Sequence, residues 1–230
     1  MKASTPQGIR SQAARRGYAC SVARAIRIDE LAGVRVAGVN WKPIRRELGV
    51  TGFGISAFSA DRGEQLIEAH DETAGGAGGH EEIYLVLRGH AAFTVSGEEI
   101  DAPAGTLVFV PELTARRSAI ALEGGTIVLV VGGAPGTVTP SPWEYYFAAA
   151  PAAAAGEPGR AYEIAAAALT DHPDNAALHF NLACFASLAG ERERALDHIS
   201  RAVEADPAAL EWAAADRDLD PVRADPRFPA

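Results

Sequence analysis

Cysteine is nearly absent: Cys20 and Cys184 are the only two in 230 residues, too few for the disulfide framework of a small secreted scaffold. A reducing, cytoplasmic setting is the expectation that follows. Long apolar runs are missing as well. No uninterrupted stretch reaches the roughly 18 residues of a membrane helix, so an integral membrane protein is not expected. Acids are missing from the start of the chain, where Lys2, Arg10, Arg15, Arg16, Arg24 and Arg27 precede the first one, Asp29. The rest therefore carries 15 basic against 30 acidic residues, a net −15 behind an overall −9. A body so acidic repels phosphate backbones, which argues against nucleic-acid binding. There is no P-loop, dinucleotide fingerprint, paired CxxC or nucleophile elbow, and each absence removes a class of chemistry.

What is present begins with strands. From Gly52 to Val131, β-branched and aromatic residues are punctuated by Gly, Pro and Asp turns. The pattern predicts strands over Gly52–Ser59, Glu64–His70, Glu82–Leu87, Ala91–Val95, Leu107–Val110, Arg117–Leu122 and Thr126–Val131. An edge strand is predicted within Val34–Trp41 and a short helical turn over Lys42–Leu48. Strands this short and evenly spaced argue for a barrel or sandwich. Gly132 to Pro142 carries Gly-Gly, Pro-Gly and Thr-Pro steps and marks a boundary. Beyond it, Trp143–Ala155 is aromatic and then alanine-rich, with Pro151 expected to interrupt it, and the remainder has helical periodicity. The expected organisation is a basic, disordered leader at 1–28, a β-barrel at 29–135, a linker with a partial helix at 136–155 and a helical tail at 156–230. The leader is also similar to an organelle transit peptide in its Arg and Ala content.

Set against itself at a shift of 34 residues, the C-terminal part matches Gly156 with Gly190, Ala161 with Ala195, Ala168 with Ala202 and Pro173 with Pro207. That is the tetratricopeptide period. Ala176 to Pro207 resembles one complete tetratricopeptide repeat, with Leu182, Ala183, Gly190, Ala195, Ile199, Ala202 and Pro207 in the packing slots and His179 where an aromatic is usual. Small residues let two helices approach closely, Gly190 makes the turn and Pro207 ends the second helix. A preceding helix from Arg160 to Thr170 and a weaker tail around Trp212 extend the likeness. Such stacks need about three repeats to present a groove, so the tail is expected to serve packing or assembly, with a protein partner as the other reading. Cys184, on the packing face, is expected to be a structural thiol.

Gly75 to Gly89, GGAGGHEEIYLVLRG, resembles the first motif of the cupin superfamily: two histidines one residue apart, a glutamate a few residues on, and a glycine seven after that. Glu82 and Gly89 hold the glutamate and glycine slots, while the histidine slots fall on Gly76 and Gly78. Gly105 to Arg116, GTLVFVPELTAR, resembles the second motif, with Leu113 at its turn glycine and Arg116 at its metal histidine. The resemblance implies a mainly β chain with an α-helical tail, a small double-stranded β-helix (jelly-roll) barrel followed by a tetratricopeptide-like helical hairpin. In this register three of four metal ligands are gone, so the first reading has no metal cofactor. The superfamily spans dioxygenases, isomerases, lyases, sugar-binding regulators and storage proteins, and whether this chain is an enzyme stays open.

Alternation places His80, Glu82, Tyr84 and Val86 on one strand face, the lumen, with Arg116 and Ser118 facing them. A buried Glu82 needs a cationic partner, and Arg116 is expected to supply it. His80, Glu82, Tyr84, Arg116 and Ser118 are then the candidate set for a small anionic or carbonyl-bearing ligand. The alternative is a metal-dependent enzyme of dioxygenase or isomerase type, holding divalent Fe, Mn, Ni or Zn on His70, His80 and Glu82. A third reading is an interaction scaffold with a filled lumen. His90 is expected to face solvent without a partner. Exposed sheet edges favour pairing, so a homodimer is expected.

Overall fold

Short strands dominate the first half of the computed structural model, which describes residues 18–20, 23–73 and 77–229. Most of the expected leader lies outside the described residues, but β1 (Tyr18–Cys20) pairs with β2 (Ala23–Ala25) where an unstructured arm was expected. The predicted edge strand is two strands, β3 (Val34–Val36) and β4 (Val39–Lys42), joined at Ala37 and Gly38, both with positive φ. Next, α1 (Ile44–Leu48) ends at Gly49 in the left-handed conformation that an achiral residue adopts without strain.

The eight strands that follow are β5 (Gly54–Ala60), β6 (Gln65–His70), β7 (Glu81–Arg88), β8 (His90–Val95), β9 (Glu98–Pro103), β10 (Leu107–Val110), β11 (Arg117–Ala121) and β12 (Thr126–Gly133). They pair as one long hairpin: β5 with β12, β6 with β11, β7 with β10 and β8 with β9, all antiparallel. Rolling that hairpin adds the β12–β7 and β11–β8 pairs and splits the strands into two sheets, β10-β7-β12-β5-β4-β3 and β6-β11-β8-β9. This is the jelly-roll connection, the architecture of the small cupin barrel. Inward residues of both sheets, among them Leu66, Tyr84, Val86, Phe93, Val108, Val110, Ala119, Val128 and Val130, close into one apolar core. The Tyr84 and Phe93 rings meet edge to face at 5.5 Å. The sequence pattern missed β9, because Glu98, Glu99 and Asp101 are all exposed and it pairs only with β8 at the sheet edge.

A second unit begins at Val138. Its helices are α2 (Pro142–Ala154), α3 (Pro158–Ala166), α4 (Ala176–Leu188), α5 (Arg192–Ala205) and α6 (Ala209–Ala215). Pro151 does not interrupt α2, contrary to expectation; the helix runs through it and starts from a Ser141–Glu144 capping box. The positions matched at a 34-residue shift are structurally alike. Gly156 and Gly190 both turn at φ +77°, and Ala161, Ala168, Ala195 and Ala202 are all fully buried. Cys184 lies in the core around Ala183, Ala195 and Ile199, where burial pushes its thiol pKa up and away from nucleophilic use. His179 is buried too, in a hydrogen-bonded chain. Its Nε2 lies 2.7 Å from the Pro173 carbonyl, its Nδ1 lies 2.8 Å from His198 Nδ1, and His198 Nε2 lies 2.9 Å from the Tyr162 hydroxyl. A carbonyl only accepts, so each proton has one place: His179 donates through Nε2, His198 through Nδ1 and Tyr162 through its hydroxyl. Among the described residues no helix is long and apolar enough to cross a membrane.

Candidate functional site

Glu82 reaches the barrel interior from β7, two residues before the fully buried Tyr84, as alternation requires. Gly132 faces it on β12, and a Cβ there would meet Glu82 Cγ at 3.2 Å and His80 Cβ at 3.3 Å. The missing side chain makes room for the carboxylate. Tyr84 donates its hydroxyl to Glu82 Oε2 through a short hydrogen bond. Across the barrel, His70 at the end of β6 pairs directly with Arg117 at the start of β11. Below that pair the register slips, three residues of β6 opposing two of β11, a bulge of the kind that re-aims a side chain.

Three acceptors converge here. His70 Nε2 lies 3.6 Å from Glu72 Oε1 and 3.7 Å from Glu82 Oε2, and one donor atom from each residue falls within 4.8 Å of the others. The ring's other nitrogen, Nδ1, is 2.7 Å from the Glu68 carbonyl, which can only accept, so Nδ1 carries a hydrogen. That leaves Nε2 aimed at two carboxylates, either protonated or with its lone pair free for a cation. Glu72 is buried and anchored by the backbone N–H groups of Gly78 and His80 at 3.0 and 3.1 Å.

The titration shifts follow from this geometry. Facing Glu82 raises the His70 imidazole above its ordinary 6.5, against the opposing effect of partial burial. Burial raises the Glu82 carboxyl, but His70, the Tyr84 hydroxyl and the Arg117 charge outweigh it and hold the group below the usual carboxylate range. Tyr84 is pushed up by burial and by the adjacent Glu82 charge.

Arg116 is exposed and donates to the Ala69 carbonyl at 3.1 Å; the inward cation is its neighbour Arg117, 1% exposed, with Nε 3.7 Å from Glu82 Oε2. Ser118 faces away with Arg116, since the buried residues of β11 are Arg117, Ala119 and Ala121. It lines a groove on the outer sheet surface with Thr94, Glu99 and Asp101. His80 contributes its backbone N–H to Glu72, while its ring lies against Gly78 and Gly54, outside the cluster of donors. The metal-type set is therefore His70, Glu72 and Glu82 rather than His70, His80 and Glu82. The pair one residue apart that faces Glu82 is His70 and Glu72, not Gly76 and Gly78, and Gly76 lies outside the described residues. His90 is not without a partner: its Nε2 meets Asp101 Oδ1 at 2.6 Å.

No known protein-family profile matches the sequence, and no curated protein matches it. Solved structures do. A cupin protein from Bacteroides fragilis is similar over 49% of this chain and 91% of its own, at 21% identity and a TM-score of 0.39. An RmlC-like cupin from Shewanella frigidimarina is similar over 47% and 88%, at 18% identity and 0.36. A predicted oxalate decarboxylase from Thermotoga maritima is similar over 47% and 96%, at 17% identity and 0.39. The strand pairing, rather than these likenesses, carries the fold assignment: a cupin-type jelly roll followed by a helical region.

Proposed function

We propose that the barrel is a small-molecule site built around a divalent cation held by His70, Glu72 and Glu82. One observation carries this: two carboxylates and the Nε2 of a histidine oriented through its other nitrogen point at one another within 4.8 Å. Acceptors so placed repel unless a positive charge lies between them. One imidazole and two carboxylates suit Mn, Fe or Zn. A cation bound there would act as a Lewis acid toward an oxygen ligand. The chain's own groups do the positioning. The Glu68 carbonyl orients His70, two N–H groups fix Glu72, and Tyr84 fixes Glu82, while the apolar core behind them keeps water from the inner side. Elemental analysis of untagged protein purified without chelators is the test. Near-stoichiometric metal that disappears in Glu82→Gln supports the proposal, and metal-free wild-type protein overturns it.

A metal-free binding barrel is the second reading, favoured by the Arg117–Glu82 pair, in which a protonated His70 and Arg117 balance the two carboxylates. For the second unit we propose two tetratricopeptide-type helix pairs serving assembly, on the strength of the matched Gly156 and Gly190 turns. We propose homodimer formation as well, since β10 is a sheet edge carrying exposed Leu107 and Phe109. Light scattering giving the mass of one chain would refute the pairing.

A further inference from the structure

Arg117 is a fully buried member of the site whose hydrogen bonds are unmet. Its side chain is fully buried, and among the described residues Nε, Nη1 and Nη2 have no hydrogen-bond partner. Five N–H donors and a full charge buried in this way are costly unless something accepts from them. Glu82 does not meet the need. Its nearest oxygen stands 3.7 Å from Arg117 Nε, beyond hydrogen-bond reach, and already accepts from Tyr84. Nor does charge balance supply an acceptor: with a divalent cation on His70, Glu72 and Glu82, two negative charges face three positive ones, and the loaded site is left at +1. A monoanion completes it.

We propose that Arg117 seats the carboxylate of a small organic acid beside the cation, an inference that rests on the cation site proposed above. The planar guanidinium fork matches a carboxylate in two parallel N–H···O bonds, a geometry that a lysine ammonium cannot reproduce. Size follows from the packing. Tyr84, Val86, Val108, Val110, Val128 and Val130 fill the interior behind the site, so the acid has only a few carbons. The partly exposed edge of the site is His70, whose side chain is 35% accessible, and the ligand enters on that side.

The test uses the full chain, manganese and glycolate, with ethylene glycol as the probe of similar size that lacks the carboxylate. Manganese uptake is measured first, alone. Glycolate is then titrated calorimetrically into the loaded protein, and relaxation of its carbon-13 nuclei by the bound manganese is followed. The expected result is one glycolate per loaded chain with enhanced relaxation at its carboxylate carbon, and no binding of ethylene glycol. Arg117→Lys is expected to keep manganese and to lose roughly tenfold to hundredfold in glycolate affinity. Normal manganese uptake with no glycolate binding, or with equal affinity in Arg117→Lys, overturns this inference and leaves the cation site standing. No manganese uptake removes both. If Arg117→Lys does not fold, the wild-type contrast of glycolate with ethylene glycol decides.

Discussion

Acidification from pH 7 to pH 5 should loosen the helical unit, and the cause is the His179–His198 pair. Burial, followed by the facing His179, drops the His198 imidazole from its ordinary 6.5 to about 4. Around it stand Tyr162 from α3, His179 from α4, and Arg194, Asp197 and Arg201 on its own helix. The sign follows from proton counting. A folded-state pKa below the unfolded one means that the unfolded chain takes up the proton first, so stability falls as pH drops below about 6.5 and goes on falling to about 4. The full gap is worth roughly 3 kcal/mol, of which about 2 is lost by pH 5, where most carboxylates are still ionised. Tyr162 is partly exposed, and screening there trims the expected loss to about 1 to 2 kcal/mol. In a unit of this size that is a fall of about 5 to 10 °C in melting temperature. Thermal unfolding followed by helical circular dichroism at both pH values reads it, with His198→Gln as the control that bonds without titrating. An identical melting temperature at pH 7 and pH 5 in wild-type protein, or the same drop in His198→Gln, would rule out His198 as the cause.

Arg117 at the start of β11 and Arg116 just before it should separate cleanly in urea unfolding. In metal-free protein Arg117→Ala takes away the positive charge facing the buried Glu82 and leaves a cavity where a fully buried side chain stood, and is expected to cost about 3 to 5 kcal/mol, whereas Arg116→Ala, on the surface, stays within about 0.5. Tyr84→Phe deletes the donor to Glu82 and is expected to lower stability at pH 7 by about 1.5 to 3 kcal/mol in the same assay. Gly89→Ala combines φ +78° with a Cβ 2.4 Å from Thr126 Oγ1 and 2.9 Å from its Cα, so a loss of about 2 kcal/mol or more is expected. Manganese affinity should weaken from pH 8 to pH 6, because the raised His70 imidazole takes a proton where the cation would bind; equal affinity at both pH values would remove His70 from the site.

Much of the barrel was legible in the chain because its strands alternate and its turns carry glycine: β7, β8, β10 and β12 lie within two residues of their predicted bounds. The candidate site was legible only in part. Glu82 and Tyr84 follow from simple alternation on one strand. Arg117 does not, since the turn from Val110 to Arg116 sets which residue of β11 first faces inward, and counting along the motif lands one residue short. Glu72 was not legible because it lies past the last residue of its predicted strand, where alternation no longer says which way a side chain points. The available signal was its place two residues beyond His70, where a predicted strand ends. His80 looked like a ligand by spacing from Glu82, but its backbone is tied to Glu72 and its ring rests on glycines. Pro151 follows a different logic: at residue ten of a helix already capped by Ser141 and Glu144, it removes one hydrogen bond without ending the helix.

Calorimetric titration of metal-stripped protein with manganese, comparing wild type with Glu72→Gln and His80→Ala, decides whether His70, Glu72 and Glu82 hold a cation. One ion per chain is expected in wild type and in His80→Ala, and none in Glu72→Gln. Binding that survives in Glu72→Gln and vanishes in His80→Ala would contradict that assignment.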